Sequence, residues 1–506
     1  MRMQSTAVIA RGTTLLLVQS LFSGSFRLVN VMLLTRLLPQ TEVGRIAVLA
    51  IIYGYMQFMG AAGLNHAMPR FVPELEKAGG RALRSLFAAS VLVIVFASAL
   101  LLVAFSALSP ALVSSGLLDS NLVFLLYCIA PLSSLGVFSD SFLLARYSVR
   151  PLAIGRLVFD TMRMALTVIL VILGMGVVGV LLGWLAAELS GLAVFVPFSL
   201  RSLPSNEGIL RLRPVLAFAL PSLLFQTIDV TIQNTDRMVL LQLTDLASLG
   251  VYDVILGMLF MLSFVALSLS VSLYPVLTRL EIGNTAGMHE APVVSAPASL
   301  LIRYVLLILL PVSIVLSMNA ERTLSLVFGT SYSSFPGASL SFGLVVVFYS
   351  LWGVTYALHT ILRSMDESHF FWSVGLAVIG VELLVCWSLV QWLGLLGAAV
   401  TRCVYISILL STALTRLKRR GVALQGRLGT TVSRVVPASL VAGAAFYVLS
   451  PDTLLSAALT LSLALLLCYA LLILTKEPIP LDFVIARHIL PKKLHRFLNY
   501  IETRQC

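Results

Sequence analysis

Long apolar runs separated by short polar loops form the basic pattern of this chain. Each run approaches or exceeds the roughly 20 residues that an α-helix needs to cross the hydrocarbon core of a bilayer. The pattern predicts an all-α integral membrane protein with about 14 transmembrane helices. The predicted spans are 14–37, 43–68, 86–108, 117–145, 152–174, 176–200, 214–243, 248–275, 297–318, 336–363, 369–392, 393–416, 431–450 and 453–475.

The seventh predicted span carries polar side chains at the spacing of one helix face. The residues of this polar stripe are Ser222, Gln226, Asp229, Gln233, Asp236 and Arg237. Positions three and four apart lie on the same side of an α-helix. A charged side chain at the centre of a membrane helix costs about 2.5–3.5 kcal/mol even on the mildest insertion scale. We therefore expect the stripe to face protein or a water-filled cavity rather than lipid.

The same arrangement occurs once before, at an offset of about 206 residues. Gly44 and Pro69 bracket an apolar run with the same spacing as Gly250 and Pro275. In the helix before that run, the offset matches the polar stripe to further polar residues, namely Ser20, Ser23, Arg27 and Asn30. This register predicts an internal duplication in which the first and seventh helices are equivalent and line a cavity.

A second repeated motif supports the duplication. Gly176-x-x-Gly179 opens the sixth predicted helix, and Gly394-x-x-Gly397 opens the twelfth. Each half then has six helices, so the halves share one orientation and are related by an axis along the membrane normal. We expect two pseudo-symmetric lobes around a central cavity. The expected boundaries are 1–206 for the N-terminal lobe, 207–420 for the C-terminal lobe, 421–475 for an additional helix pair and 476–506 for a cytoplasmic amphipathic tail.

Composition and charge agree with a membrane protein. The chain is 59% hydrophobic and 11% charged, whereas soluble domains are about 25% charged. Most of the 34 lysines and arginines fall in loops on one side of the predicted membrane. This asymmetry places both termini in the cytoplasm. The net charge of +12 is therefore a topology signal and a contact for lipid headgroups, and it does not indicate a nucleic-acid surface.

Ionisable residues inside the predicted spans are the candidates for function, because they must be paired or hydrated there. Arg156, Asp160 and Arg163 share one face of the fifth span. Their carboxylate between two guanidiniums fits either a packing cluster or a substrate contact. Arg27 has no acid on its own helix, and its planar guanidinium suits a phosphate group. We interpret Arg27 as an anion site.

Two aspartates on the seventh helix allow different interpretations. Asp229 lies near mid-helix without an adjacent cation. Burial of its carboxylate would make it a candidate for proton coupling, but partners on the eighth helix would satisfy it equally well. Asp236 and Arg237 are neighbours near the outer end and are expected to form a local pair.

No sequence motif indicates an enzyme. A phosphate-binding glycine loop followed by Lys-Ser/Thr is missing, which argues against an ATPase. The five cysteines have neither disulfide nor metal-site spacing, and no cofactor is expected. The longest external segment, about 319–335, is shorter than a membrane glycosyltransferase or polymerase normally needs.

Four stretches, taken together, resemble one known family. They are Leu34–Gly44 with Gly63, Leu64 and Arg70; Leu220–Pro221 with Asp236, Arg237, Gly250–Tyr252 and Tyr274–Pro275; Val327–Tyr332; and Gly394–Gly397 with the two alanines that follow. They are similar to the polysaccharide transporters, including O-antigen-unit flippases, of the multidrug/oligosaccharidyl-lipid/polysaccharide exporter superfamily. The resemblance implies two lobes around a cavity that opens alternately to each side of the cytoplasmic membrane.

The resemblance also implies a function. The implied substrate is a polyprenyl-(pyro)phosphate-linked oligosaccharide, which we expect to be moved at the expense of an ion gradient. Membrane lipids, a glycan polymerase and glycosyltransferases are the further partners expected. A small-molecule antiporter of the same superfamily and a membrane-embedded polymerase or ligase are the alternatives. Expected substrate-binding residues are Arg27, Asn30, Arg163, Gln233, Arg237, Arg303 and Arg402. Expected ion-coupling residues are Asp160, Asp229, Asp236 and Glu188.

Overall fold

The computed structural model of the chain is all-helical and contains no strand in the residues it describes. Those residues are 2–77, 80, 82–201, 203, 212–259, 262, 266–267, 270, 295–365, 368–422, 424, 428–449 and 451–477. The predicted all-α class is confirmed. Most of the predicted tail, including its amphipathic segment, and Pro275 lie outside the described residues.

The helices run in chain order as follows. The first nine are α1 (Arg2–Leu37), α2 (Gln40–Gly60), α3 (Leu64–Lys77), α4 (Leu83–Ser114), α5 (Ser120–Ala145), α6 (Val149–Leu170), α7 (Gly176–Arg201), α8 (Leu212–Leu243) and α9 (Leu246–Leu259). The others are α10 (Ser295–Met318), α11 (Ala320–Phe328), α12 (Thr330–Ser333), α13 (Ala338–Ser364), α14 (Ser368–Leu393), α15 (Leu395–Arg419), α16 (Leu428–Leu449) and α17 (Leu454–Leu474).

Several of these helices have the length and exposure expected in a bilayer. Within the described residues, 11 stretches are long and apolar enough to cross a membrane. On α4, Leu92, Phe96 and Val103 are 71%, 72% and 67% exposed. An apolar surface of this kind would be unfavourable in water, but it is expected against lipid. The chain is therefore a multi-pass membrane protein, and the count of 14 spans stays a prediction.

The first helix begins well before its predicted start, at Arg2 rather than near residue 14. The helix α8 begins at Leu212, close to the predicted start at residue 214, and contains Pro221. Proline is tolerated inside membrane helices because neighbouring groups satisfy the backbone carbonyl that it leaves unpaired. Pro221 is therefore compatible with an uninterrupted α8.

The turn between α6 and α7 depends on glycine. The backbone passes through positive φ at Gly174 (84°) and Gly176 (51°), a region that favours glycine. The two helices then pack antiparallel, and a Cβ built on Gly183 would lie 2.3 Å from Oγ1 of Thr167. The repeated motif performs the same role between α14 and α15, where Gly394 has a φ of 55° and Gly397 meets the Leu389 carbonyl.

Equivalent positions of the predicted duplication contact each other between α2 and α9. A Cβ built on Gly44 would lie 1.8 Å from the Leu246 carbonyl oxygen, and one built on Gly250 would lie 2.3 Å from the Gln40 carbonyl oxygen. Gln40 and Leu246 are separated by the same offset as Gly44 and Gly250. The contact is therefore reciprocal, as is expected where two copies of one unit meet around a pseudo-two-fold axis.

The chain divides into two compact units. The first comprises residues 1–264 and 371–401, and the second comprises 265–370 and 402–506. One apolar cluster of the first unit joins α2, α5 and α7 through Val48, Leu126 and Trp184. Another joins α3, α4, α5 and α8 through residues such as Phe87 and Ala219. The lobe boundaries expected from the sequence, 1–206 and 207–420, stay predictions.

In the second unit, α10 is the central helix. It packs against α13, α16 and α17. Asn319, which follows α10, donates a hydrogen bond of 3.2 Å to the Gly443 carbonyl on α16, and the Tyr469 hydroxyl on α17 donates one of 3.2 Å to the Leu307 carbonyl. The final helix pair is thus bonded to α10 by polar contacts as well as by apolar packing.

Candidate functional site

Charged side chains from four helices of the first unit come together. Arg27 on α1 lies within electrostatic range of Asp160 and Arg163 on α6, Arg237 on α8 and Asp253 on α9. We call these five residues the charged cluster. It contains three guanidiniums and two carboxylates, so it carries an excess of positive charge. Arg27 is exposed although it lies in the second half of α1, which is the arrangement expected of a residue that lines an open space.

The contact between α1 and α6 is made by polar side chains. The Ser23 hydroxyl donates a short hydrogen bond to Oδ2 of Asp160. Gln19, one turn earlier, donates from Nε2 to Oγ of Ser23 at 2.6 Å. Ser23 belongs to the polar row that the repeat identified on the first helix. The bond fixes one face of α1 against the acid of α6.

Arg156 has a partner that the sequence did not predict. Its Nε and Nη2 atoms donate to the two oxygens of Asp140 on α5 at 2.7 and 2.8 Å. This is the bidentate geometry that makes Arg–carboxylate pairs strong. Asp160 accepts its direct hydrogen bond from Ser23, while Arg27, Arg156 and Arg163 act on it electrostatically. The three charges of α6 are therefore divided among separate partners.

The expected local pair of Asp236 and Arg237 is replaced by contacts between α8 and α9. The Arg237 guanidinium forms an ion pair of 2.8 Å with Asp253 and donates to Oδ1 of Asn234 at 2.9 Å. Asp236 is fully buried and accepts a short hydrogen bond from the Tyr252 hydroxyl. Neighbouring residues on a helix point in different directions, so the two side chains meet different partners.

Asp229 and Gln233 lie together on α8. Both are exposed, and Nε2 of Gln233 donates to Oδ2 of Asp229 at 2.9 Å. The burial that the sequence suggested for Asp229 is therefore wrong in this structure. This part of the stripe faces open space, whereas Gln226 and Asp236 of the same stripe are buried.

Glu188 lies at the junction of α2, α5 and α7. Its carboxylate is buried and accepts a short hydrogen bond from the Tyr53 hydroxyl. Gln57 donates to the same hydroxyl oxygen from Nε2 at 3.0 Å. Gly136 on α5 provides the space, since a Cβ there would lie 3.0 Å from the carboxylate. Glu188 also acts electrostatically on Arg163, which connects it to the charged cluster.

The other predicted site residues have different surroundings. Asn30 is partly buried on α1. Arg303 belongs to the second unit, where it is 5% exposed and forms a 3.4 Å ion pair with Glu477. Arg402 is buried, with its guanidinium carbon 5.6 Å from the centroid of the Tyr405 ring. The contacts that define the charged cluster include none of these three residues.

Four residues that support the site were not among the site residues expected from the sequence. They are Tyr53, Trp184, Tyr252 and Asp253. Tyr252 and Asp253 directly follow Gly250, so the repeat could have directed attention to them. Tyr53 and Trp184 gave no such signal, because an aromatic residue in an apolar run is most simply interpreted as core packing. Among the described residues no group of three or more His, Cys, Asp or Glu side chains could hold a metal ion.

Comparisons with known proteins place the chain in a family. The sequence profile of a family described as polysaccharide biosynthesis protein matches residues 33–335. A search of curated protein sequences gives no match. The profile match covers more than half of the chain, and it contains every member of the charged cluster except Arg27.

Solved structures show the fold. The lipid II flippase MurJ in an inward closed conformation is 11% identical, with a TM-score of 0.67 over 94% of this chain and 99% of that one. An inward-facing multidrug resistance MATE family transporter of the MOP superfamily is 15% identical, with a TM-score of 0.63 over 80% and 95%. A MOP superfamily transporter from Pyrococcus furiosus is 16% identical, with a TM-score of 0.59 over 83% and 96%.

These neighbours are transporters and flippases rather than enzymes. Their likeness extends over most of both chains, so it concerns the whole helical arrangement and not one motif. The chain belongs to the polysaccharide biosynthesis protein family and has the fold of the flippases and transporters of the MOP superfamily.

Proposed function

We propose that the protein is a flippase for a polyprenyl-(pyro)phosphate-linked oligosaccharide in the cytoplasmic membrane. It works by alternating access, is coupled to an ion gradient and has both termini in the cytoplasm. The observation that carries the proposal is the charged cluster around Arg27, an exposed guanidinium within the first helix. A charge in this position is costly without a function or a partner. A phosphate group would add an anion to a cluster in which positive charge is in excess.

The composition of the cluster suits such a substrate. Arg163 on α6 and Arg237 on α8 lie within electrostatic range of Arg27, and arginine binds phosphate through a planar fork of donors. Asp160 and Asp253 lower the excess charge, so an anion can be bound without being trapped. A transported substrate has to leave as well as enter, which requires this balance. Asn30, Gln233, Arg303 and Arg402 are further proposed substrate contacts.

The ion-coupling residues of this proposal are Asp160, Asp229, Asp236 and Glu188. They fall into two environments. Asp229 is exposed and Asp160 is half-exposed. Asp236 and Glu188 are buried, and each accepts a hydrogen bond from a tyrosine hydroxyl group. A carboxylate that meets water only in one conformation can take up an ion on one side and release it on the other. This property is required of a coupling residue.

A drug-exporting antiporter is the second candidate, since MATE transporters share the fold. The family profile favours a polysaccharide pathway instead. The arginine-rich cluster also favours an anionic substrate, whereas a cationic drug would be repelled by it. Membrane lipids are partners in either case. Glycosyltransferases would act before a flippase, and a glycan polymerase would act after it.

The direct test is a pair of substitutions at Arg27. Arg27→Ala should abolish transport of the lipid-linked oligosaccharide into the outer leaflet of reconstituted vesicles, because the phosphate loses its counter-charge. Arg27→Lys should retain part of the activity, because it keeps the charge and loses the fork. Arg36→Ala is the matched control, since Arg36 is exposed in the last turn of the same helix. Normal transport by Arg27→Ala would contradict the proposal.

The state of the substrate in cells separates a flippase from a polymerase or ligase. Deletion of a flippase leaves lipid-linked units on the cytoplasmic leaflet, where an external glycan-modifying enzyme cannot reach them. Deletion of a polymerase or ligase leaves them flipped and unprocessed on the outer leaflet. Accumulation of outer-leaflet units after deletion would replace the proposed function by the enzyme alternative.

A further inference from the structure

Arg163 is an intramembrane guanidinium held by an aromatic ring instead of an acid. Its guanidinium carbon lies 4.6 Å from the centroid of the Trp184 ring. It forms no hydrogen bond or ion pair with any residue that the structure describes, and it is half-buried. A guanidinium has five N–H donors in one plane. Stacking on an indole occupies a face of that plane and leaves the donors on its edge available to an anion.

Trp184 is itself firmly placed. It is 5% exposed, and the Tyr53 ring packs against it with centroids 5.3 Å apart. Tyr53 is held in turn by its hydrogen bonds with Glu188 and Gln57. Beside it, Gly183 brings α7 into contact with Thr167 on α6, the helix that carries Arg163. The indole of α7 is therefore a fixed surface that contacts Tyr53 on α2 and Arg163 on α6.

The charges around Arg163 favour an anionic ligand. Arg27 and Arg163 repel each other, and each also interacts with Asp160. Glu188 attracts Arg163 electrostatically without forming a direct bond to it. An anion placed between Arg27 and Arg163 would replace this repulsion by two attractions. A group with several acceptor oxygens would satisfy the guanidinium edge better than a single carbonyl.

We propose that Trp184 is a positioning residue that holds Arg163 to bind the phosphate or pyrophosphate group of the transported lipid. The identity of the lipid rests on the proposed function. The binding of a pyrophosphate group does not, because it rests on the Arg163 and Trp184 geometry and on the neighbouring charge of Arg27. Trp184 touches the guanidinium and not the ligand, so it acts by fixing the direction of the donors.

The experiment uses Trp184 as its own reporter. In the full-length protein, Trp352, Trp372, Trp387 and Trp392 are replaced by Phe, and the fluorescence of Trp184 is titrated with inorganic pyrophosphate. We expect a saturable change that disappears in Arg163→Ala and is weaker in Arg163→Lys. An unchanged signal at saturating pyrophosphate, or an equal response of Arg163→Ala, would overturn the proposal.

Calorimetric measurement of pyrophosphate affinity then tests whether the Trp184 ring positions Arg163. Trp184→Leu should bind about fivefold to thirtyfold more weakly, which corresponds to the loss of a cation–π contact. Trp184→Phe keeps a ring and the packing, so it should lie between Trp184→Leu and the parent. Trp392→Leu is the control, since Trp392 is 86% exposed at the end of α14. Parental affinity in a folded Trp184→Leu protein would show that the ring does not position Arg163.

Competition distinguishes the possible sources of the phosphate. A polyprenyl pyrophosphate should displace inorganic pyrophosphate, whereas phosphatidylglycerol, a phosphodiester with one charge, should not. Equal displacement by phosphatidylglycerol would overturn selectivity for the transported lipid. If pyrophosphate binds as expected but vesicles do not translocate the lipid-linked oligosaccharide, the proposed function fails while the Arg163 and Trp184 site stands. The opposite result overturns only this inference.

Discussion

Tyr252 and Tyr53 each donate a hydrogen bond to a buried carboxylate, Asp236 and Glu188 respectively. A buried carboxylate without a donor would be strongly destabilising in a membrane protein. Each tyrosine belongs to a different helix from its acid, so each bond also joins two helices. Asp229, only seven residues before Asp236, is exposed and accepts from Gln233 on its own helix. The two aspartates of one stripe therefore differ in burial and in hydrogen-bond partners.

This difference gives a prediction for the two aspartates of α8. Asp236→Ala should destabilise the protein, since it removes the short bond from the Tyr252 hydroxyl and leaves it only the Ala398 carbonyl at 3.3 Å. Loss of hydrogen bonding to a buried polar group costs about 1–3 kcal/mol. Asp229→Asn should leave the melting temperature nearly unchanged, because the side chain is exposed and keeps its shape. If Asp229 is a coupling residue, that variant should also lose the response of transport to an imposed proton or sodium gradient.

Thermal unfolding in detergent and gradient-driven uptake into vesicles measure the two effects separately. Asp236→Asn is the milder variant, because its amide oxygen can still accept from Tyr252. A parental gradient response in Asp229→Asn would show that Asp229 is not the coupling site. An unchanged melting temperature in Asp236→Ala would show that the hydrogen bond from Tyr252 does not stabilise the protein.

At the scale of helices, glycine sets where pairs of helices touch. Gly44 and Gly250 bring α2 and α9 into backbone contact, and the contact repeats itself under the offset of the duplication. Gly54 on α2 and Gly257 on α9 have no atom within 4 Å of a built Cβ. Glycines on the same two helices therefore differ in whether packing requires them. Only the glycines at the crossing are required by packing.

We expect Gly44→Ala and Gly250→Ala each to cost about 1–3 kcal/mol, the usual range for overpacking, because a rigid backbone carbonyl occupies the space. Gly54→Ala and Gly257→Ala are matched controls and should be neutral or slightly stabilising, since alanine is the better helix former. Melting temperatures of the four variants in one detergent provide the measurement. Equal melting temperatures of the crossing and control variants would show that the close contact between α2 and α9 does not contribute to stability.

A different kind of helix contact holds the end of the chain. Glu477 is buried beyond the end of α17 and lies 3.4 Å from both Arg303 on α10 and Arg434 on α16. The Thr431 hydroxyl donates to the same carboxylate at 2.5 Å. Two cations and a hydroxyl group therefore compensate one buried charge, as such a burial requires. These contacts tie α17 to α10 and α16.

At the scale of the whole molecule, the sequence predicted what depends on periodicity. The apolar runs, the glycine turns and the repeated register of Gly44 and Gly250 all have counterparts in the structure. Pairing partners were not predictable, because a span reveals its own polar face but not the helix that meets it. For that reason Arg156 was assigned to Asp160 instead of Asp140, and Arg237 to Asp236 instead of Asp253.

The remaining whole-molecule prediction is the topology, which follows from the distribution of lysine and arginine. Single cysteines are placed at Ser114, Ser331 and Thr430 in a variant without native cysteines, and all three positions are exposed. With both termini in the cytoplasm, Cys at 114 and 331 should react with a membrane-impermeant maleimide in intact cells. Cys at 430 should react only after the membrane is permeabilised. Permeabilised cells are the control for all three positions, since each must then react. Labelling of position 430 from outside, or protection of position 114 or 331, would invert the orientation or change the number of crossings between these positions.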